Sequence, residues 1–167
     1  DLGTLDRAAL AKRADYHRTV SPILVYLGMD STFSKFSRAE NRKYLSIAIN
    51  RENIPKILSS ADIPARSFLP RDLAVPLGTK QAPTNALPSK PQHDAVPVVF
   101  AYYEKGSNRL LCEYLQSEIR KNLGWITTLQ PVEVKTYWAQ LASQPVPVFL
   151  NSFGPPIWDA RFYFDLF

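Results

Sequence analysis

The chain has 167 residues, enough for one domain with a sizeable core, and 46% of them are apolar. It contains no run of about 18 apolar residues, so no membrane-spanning helix is expected. The net charge of +5 is spread as Lys and Arg among acids without a long basic run, which argues against nucleic acid as a partner, and the single cysteine, Cys112, rules out an internal disulfide.

In chain order, residues 1–20 hold a short helical pattern after Thr4. No secretion signal is visible at Asp1, so this start fits a processed protein or an excised domain. Ile23 to Met29, "ILVYLGM", is aliphatic and β-branched after Pro22 and predicts a strand. "DSTFSKFS" follows as a loop. "RAENRKYLSIAINRENIPKIL", Arg38 to Leu58, predicts an amphipathic helix with Tyr44, Ile47, Ala48 and Ile54 on one face. Ser37 and Glu40 have capping-box spacing at its start. Arg42 and Arg51 are expected in surface or structural ion pairs. Pro55 should kink or end the helix unless a new one begins near Glu52.

Residues 61–97 carry half of the chain's 14 prolines, too many missing donors for a long helix or a central strand. This stretch is either an ordered meander or a linker. Phe68, Leu69, Val75 and Leu77 favour order in its first half, and a proline-rich loop is assigned to 78–94.

Regular patterns then return. Val96 to Tyr103 predicts a strand, and Ser107 to Gly124 a helix capped by Ser107, with Leu111, Tyr114, Leu115, Ile119 and Leu123 as its apolar face and Gly124 as its stop. "WITTLQPVEV" is a strand pair or one strand kinked at Pro131, "KTYWAQLAS" a short helix and "VPVFLNSF" another strand. The alternation of strand and helix predicts an α/β fold, a sheet with helices packed on it. In "NSFGPPIWDARFYFDLF" a stiff glycine–proline bend follows the last strand, and a helix starts at Trp158 or Asp159. Phe162, Tyr163, Phe164 and Phe167 are expected in the core. Phe153 and Gly154 are placed to line a ligand wall. The apolar ending suggests that the chain stops inside a larger fold.

The catalytic options are thin. His17 and His93 lie far apart, and neither has a partner at metal-ligand spacing. Cys112 sits in an apolar helical stripe, as a structural thiol does. The glycines are isolated, so there is no phosphate loop. No catalytic residue, metal or cofactor is assigned.

Four segments together resemble a known family. "ILVYLGMD" with "RAENRKYLSIAINRENIPKIL" is similar to its strand, Phe-containing loop and long helix. "IPARSFLPRDL" is similar to its Pro-Ala-x-x-x-x-Pro turn. "RLLCEYLQSEIRKNLGWITTLQPVE" resembles its helix, Leu-Gly turn and strand. "VFLNSFGPPIWDARFYFDLF" resembles its last strand, Trp-containing turn and helix start. The family is that of the extracytoplasmic solute-binding proteins of peptide and nickel ABC importers (family 5).

The resemblance implies a mixed sheet of the periplasmic binding protein type II kind, with residues 1–167 forming part of the C-terminal lobe. It implies a periplasmic or extracytoplasmic location, with or without a lipid anchor. The implied partners are a peptide or other small solute, the ABC permease subunits in the membrane, and an N-terminal lobe absent from this chain. The implied ligand contacts are Asn151, Ser152, Phe153 and Gly154, then Tyr26 and Trp158. An interaction or regulatory module that reuses the lobe without transport is the alternative.

The chain departs from the family at four points. Ser152 and Phe153 replace a Gly-Trp pair. Pro156 falls where an Asp pairs with a peptide amine. Ala160 replaces a proline. Asp30 stands where a strand-end Asn is common.

Overall fold

The computed structural model describes residues 9–17, 21–65, 67–69, 97–156 and 159–164. The proline-rich 78–94 loop, His93, Trp158 and Phe167 lie outside the described residues. Four strands form one sheet: β1 (Leu24–Met29), β2 (Val98–Tyr103), β3 (Thr127–Val132) and β4 (Val148–Phe153), in the order β1-β4-β2-β3. β2 runs parallel to β3 and β4, while β1 lies antiparallel to β4. The helices are α1 (Ser34–Ser37), α2 (Ala39–Ala48), α3 (Ile54–Ile57), α4 (Asn108–Leu123), α5 (Tyr137–Ser143) and α6 (Arg161–Phe164). The expected mixed α/β sheet is therefore observed.

The sheet has two faces because successive strand residues point to opposite sides. Val98, Phe100 and Tyr102 of β2, with Val148 and Leu150 of β4, meet α1, α2 and α4 in the larger core. Ala101, Val132, Tyr137 and Val146 form a smaller core on the other face, with Val99, Tyr103 and Phe149 against it. The α4 stripe buries Leu111, Cys112, Leu115, Ile119 and Leu123, each worth about 1.5–3 kcal/mol if aliphatic. Tyr114 sits at the margin of the stripe and donates its hydroxyl to Asn50 O. Gly124 ends the helix in the left-handed region, at φ 69°.

Several local expectations are corrected. "DSTFSKFS" is not all loop, since Ser34–Ser37 makes one helical turn. The Ser37–Glu40 capping box does not form. Arg38 takes the N-cap position in extended geometry, and the Ser37 hydroxyl donates backwards to Ser34 O. Ser107 likewise makes no side-chain cap, and the neighbouring Asn108 amide donates instead to Tyr103 O. Ile47 is 37% exposed, whereas Leu45 is 2% exposed. The arc that α2 turns towards α4 is Tyr44, Leu45 and Ala48, and Ile47 falls outside it.

Arg42 and Arg51 hold main-chain carbonyls rather than acids. Arg42 donates to Phe36 O and Ser37 O, and Arg51 to Ser46 O and Ile49 O. Burial lowers the Arg51 pKa. Arg42 thus holds carbonyls where α1 ends, and Arg51, with Asn122 donating to Ala48 O at 2.6 Å, holds carbonyls where α2 ends. After a short 3₁₀ turn, Arg51–Asn53, Pro55 sits in the first turn of α3, where its missing N–H does no harm.

β3 passes through Pro131 as one unbroken strand. Val98 N–H donates to Ile126 O and Glu104 N–H to Val132 O. This alternation turns the even-numbered residues of β3 towards β2, so Pro131 lacks an N–H only on the open edge.

Candidate functional site

The strand order places a switch point between β2 and β4. From β2 the chain crosses to β3 on one side, then returns through α5 to β4 on the other. In open α/β sheets, ligands bind outside the carboxyl ends of parallel strands at such a point, where successive connections leave to opposite sides and open a crevice. Here the β2–β4 ladder pairs only Phe100 with Val148 and Ala101 with Phe149, although the strands run on to Tyr103 and Phe153. Beyond that pair side chains occupy the join. The Tyr137 hydroxyl donates to Leu150 O at 2.7 Å and lies 3.3 Å from Ala101 O. Further along, the hydroxyls of Tyr103 and Ser152 meet at 3.0 Å.

Tyr26 and Asn151 are cross-strand partners in the β1–β4 register. The Asn151 amide donates to the Tyr26 hydroxyl, while its carbonyl oxygen accepts the Ser152 N–H at 2.6 Å. Partial burial raises the Tyr26 pKa, against the opposing effect of the Asn151 bond, so the phenol is neutral near pH 7. Around this pair stands an aromatic cluster. Phe68 packs edge-on against Tyr26 (6.0 Å) and Tyr163 (6.2 Å), and Tyr163 against Phe153 (5.4 Å). Tyr163 is fully buried, and its hydroxyl donates to Pro22 O, tying α6 to the start of β1.

The structure thus brings together Tyr26, Asn151, Ser152 and Phe153 of the six residues singled out in the sequence. Gly154 follows at the exposed tip, its Cα facing Ile23. Trp158 lies outside the described residues. Tyr163 takes the core place expected of it, but Phe164 is 59% exposed, because a one-turn helix can turn only one side inward. Asp159 accepts the Arg161 N–H and pairs with its guanidinium at 2.9 Å, which holds the carboxyl below its usual pKa.

Three contributors were not singled out for the site. Phe68 was expected only as an anchor of the proline-rich stretch. Tyr103 and Tyr137 carried one available signal: Tyr103 ends a strand that runs parallel to β4, which matters only once the strand order is known.

The groups at the tips are neutral donors, acceptors and ring faces. They suit recognition by hydrogen bonding and aromatic contact. Among the described residues no group of three His, Cys, Asp or Glu is placed to hold a metal ion, and no helix is long and apolar enough to cross a membrane. A separate cleft of about 400 Å³ lies at the other end of the sheet, between Phe33, Lys35, Pro97, Gln130 and Pro145. Asp30, near that end, folds a tight turn by accepting the Thr32 N–H and hydroxyl.

No family model matches the sequence, and no curated protein matches it either. Solved structures do. The unliganded open form of the periplasmic murein tripeptide-binding protein MppA superposes on 98% of this chain with a TM-score of 0.79 at 18% identity. The chain has the fold of one portion of a periplasmic solute-binding protein. OppA of Burkholderia pseudomallei matches 89% of the chain (TM-score 0.74, 18% identity). OppA of Haemophilus influenzae, in complex with the peptide RPPGFSPFR, matches 88% (TM-score 0.73, 13% identity). The chain covers 35%, 32% and 32% of those proteins, so it spans about a third of their length.

Proposed function

We propose that this chain is the C-terminal ligand-binding lobe of an extracytoplasmic solute-binding protein that delivers oligopeptides or related solutes to an ABC importer. Residues 1–167 form part of that lobe, and the 78–94 loop belongs to it. The missing N-terminal lobe supplies the opposing wall, and the membrane permease is the downstream partner. The activity is binding rather than catalysis.

One observation carries the reading. The join between the strand tips bears the part-buried Tyr26, Tyr103, Asn151, Ser152 and Phe153, at the switch point of a sheet shared with peptide-binding proteins. Hydroxyls, a carboxamide and ring faces suit a peptide, whose backbone offers donors and acceptors and whose side chains offer apolar area. The family's amine-pairing Asp is replaced by Pro156, which brings neither charge nor N–H. Any ammonium group of the ligand is therefore read elsewhere in the complete protein. Two lobes close on a solute when it contacts both, so the complete protein is the species to test.

Isothermal titration of the full-length protein with a panel of di- to pentapeptides is the test. We expect saturable one-to-one binding. Asn151→Ala should weaken it by about tenfold, the loss of roughly one hydrogen bond at the upper end of its usual worth. A flat response across the panel would refute the peptide reading.

A further inference from the structure

We propose that Tyr137 is the positioning residue that holds β2 and β4 apart, and so sets the Tyr103–Ser152 hydroxyl pair at the candidate site. The functional half of this inference rests on the peptide-binding reading above. The structural half does not.

The backbone directions make the case. Even-numbered residues of β2 turn their N–H and C=O to β3, as the Val98 and Glu104 bonds show, so Ala101 and Tyr103 face β4. Asp30 N–H donates to Pro147 O on the β1 side, so the even-numbered residues of β4, including Leu150 and Ser152, face β2. A parallel ladder continued past Phe149 would therefore have Tyr103 N–H donate to Leu150 O, and Ser152 N–H donate to Tyr103 O.

Three of those four groups have a side-chain partner instead. Leu150 O accepts the Tyr137 hydroxyl at 2.7 Å, Tyr103 O accepts the Asn108 amide at 3.1 Å, and Ser152 N–H donates to Asn151 Oδ1 at 2.6 Å. Buried backbone groups need partners, and here side chains take the place of the ladder at three of its four groups, with Tyr103 N–H the one left without a side-chain replacement.

Asn151 lies within β4 and Asn108 opens the helix that directly follows β2, whereas Tyr137 enters from α5, in the connection between β3 and β4. It is 1% exposed, and its ring packs on Tyr103 at 5.3 Å. Burial pushes its pKa up, so the hydroxyl keeps the proton it donates. Without that proton, the ladder partner of Leu150 O is Tyr103 N–H, and taking it would draw the strands together and displace the Tyr103 ring.

The test uses the full-length protein without ligand. In the wild type, the Tyr137 hydroxyl proton should give a slowly exchanging NMR resonance, while the Tyr103 amide exchanges quickly. In Tyr137→Phe, the Tyr103 amide should become at least tenfold more protected as it takes Leu150 O. Leu141→Ala, on the same helix and in the same core, controls for lost stability and should leave Tyr103 exchange unchanged. A rapidly exchanging Tyr137 hydroxyl in the wild type overturns the inference even where Tyr137→Phe fails to fold. Equal Tyr103 exchange in wild type and Tyr137→Phe also overturns it.

The binding arm titrates the tripeptides of the panel. Tyr137→Phe should weaken them by at least tenfold, and Leu141→Ala by less than twofold. Unchanged affinity in Tyr137→Phe refutes the role in the site. Failure of the wild type to bind any peptide refutes the peptide reading, and leaves the exchange result to decide the wedge.

Discussion

Gly28→Ala is the sharpest test of the packing that supports the site. Gly28 pairs with Phe149 in the β1–β4 register, and the Phe149 ring lies across the bare backbone. A methyl group at Gly28 would sit 2.1, 2.4 and 2.6 Å from three ring atoms of Phe149. Carbon atoms pack at about 3.5–4.0 Å, so the ring has to swing away or the strands have to part. Phe149 belongs to the smaller core beside Ala101, Val132, Tyr137 and Val146, so neither movement is local.

Overpacking of this kind costs about 1–3 kcal/mol. Alanine lowers the entropy of the unfolded chain and returns about 0.4–1 kcal/mol. The net expectation is a loss of up to about 2.5 kcal/mol, centred near 1 kcal/mol, read as a lower urea midpoint at unchanged slope. Phe149→Leu should relieve part of it, giving a coupling of about 1 kcal/mol in a double-mutant cycle. A neutral or stabilising Gly28→Ala, or strictly additive effects, would show that the ring does not lie over Gly28 and would refute the reasoning.

Three further outcomes are expected. Burial pushes the Cys112 thiol up to about 12, so it should resist a thiol reagent at pH 8 in the native protein and react at once in denaturant. The same shift predicts how stability changes with pH. It is complete below the unfolded thiol pKa of about 8.5, and erodes as pH rises towards the folded value of about 12, which a series of urea titrations from pH 7 upwards would detect. Asn122→Ala removes the donor to Ala48 O at the end of α2 and should lower stability by about 1 kcal/mol in urea unfolding, with Arg51 still holding Ser46 O and Ile49 O.

Much of the architecture could be read along the chain. The i, i+4 recurrence of Leu111, Leu115, Ile119 and Leu123, closed by Gly124, located α4 to within a residue or two, because periodicity and a left-handed stop are local properties. The Asn151–Phe153 stretch was recognisable as a strand tip beside a glycine–proline bend. Capping was harder to read. Ser37 and Glu40 had the right spacing, yet Ser37 already belonged to the preceding turn, and a hydroxyl engaged with Ser34 O is not aimed at α2. The guanidinium groups of Arg42 and Arg51 were expected on acids, but the nearest groups in need of partners were the carbonyls at helix ends.

Local sequence alone determined the element types, the apolar stripe of α4 and the absence of a disulfide, since each depends on spacing within a few turns or strand repeats. Only the tertiary structure decided that β1 lies antiparallel beside a strand more than a hundred residues later, and that β2 and β4 part beyond Phe149. The meeting of Tyr26 with Asn151 and of Tyr103 with Ser152 follows from that strand order. Pairing across such separations is set by which faces bury together over the whole sheet, and no short window of residues contains that information.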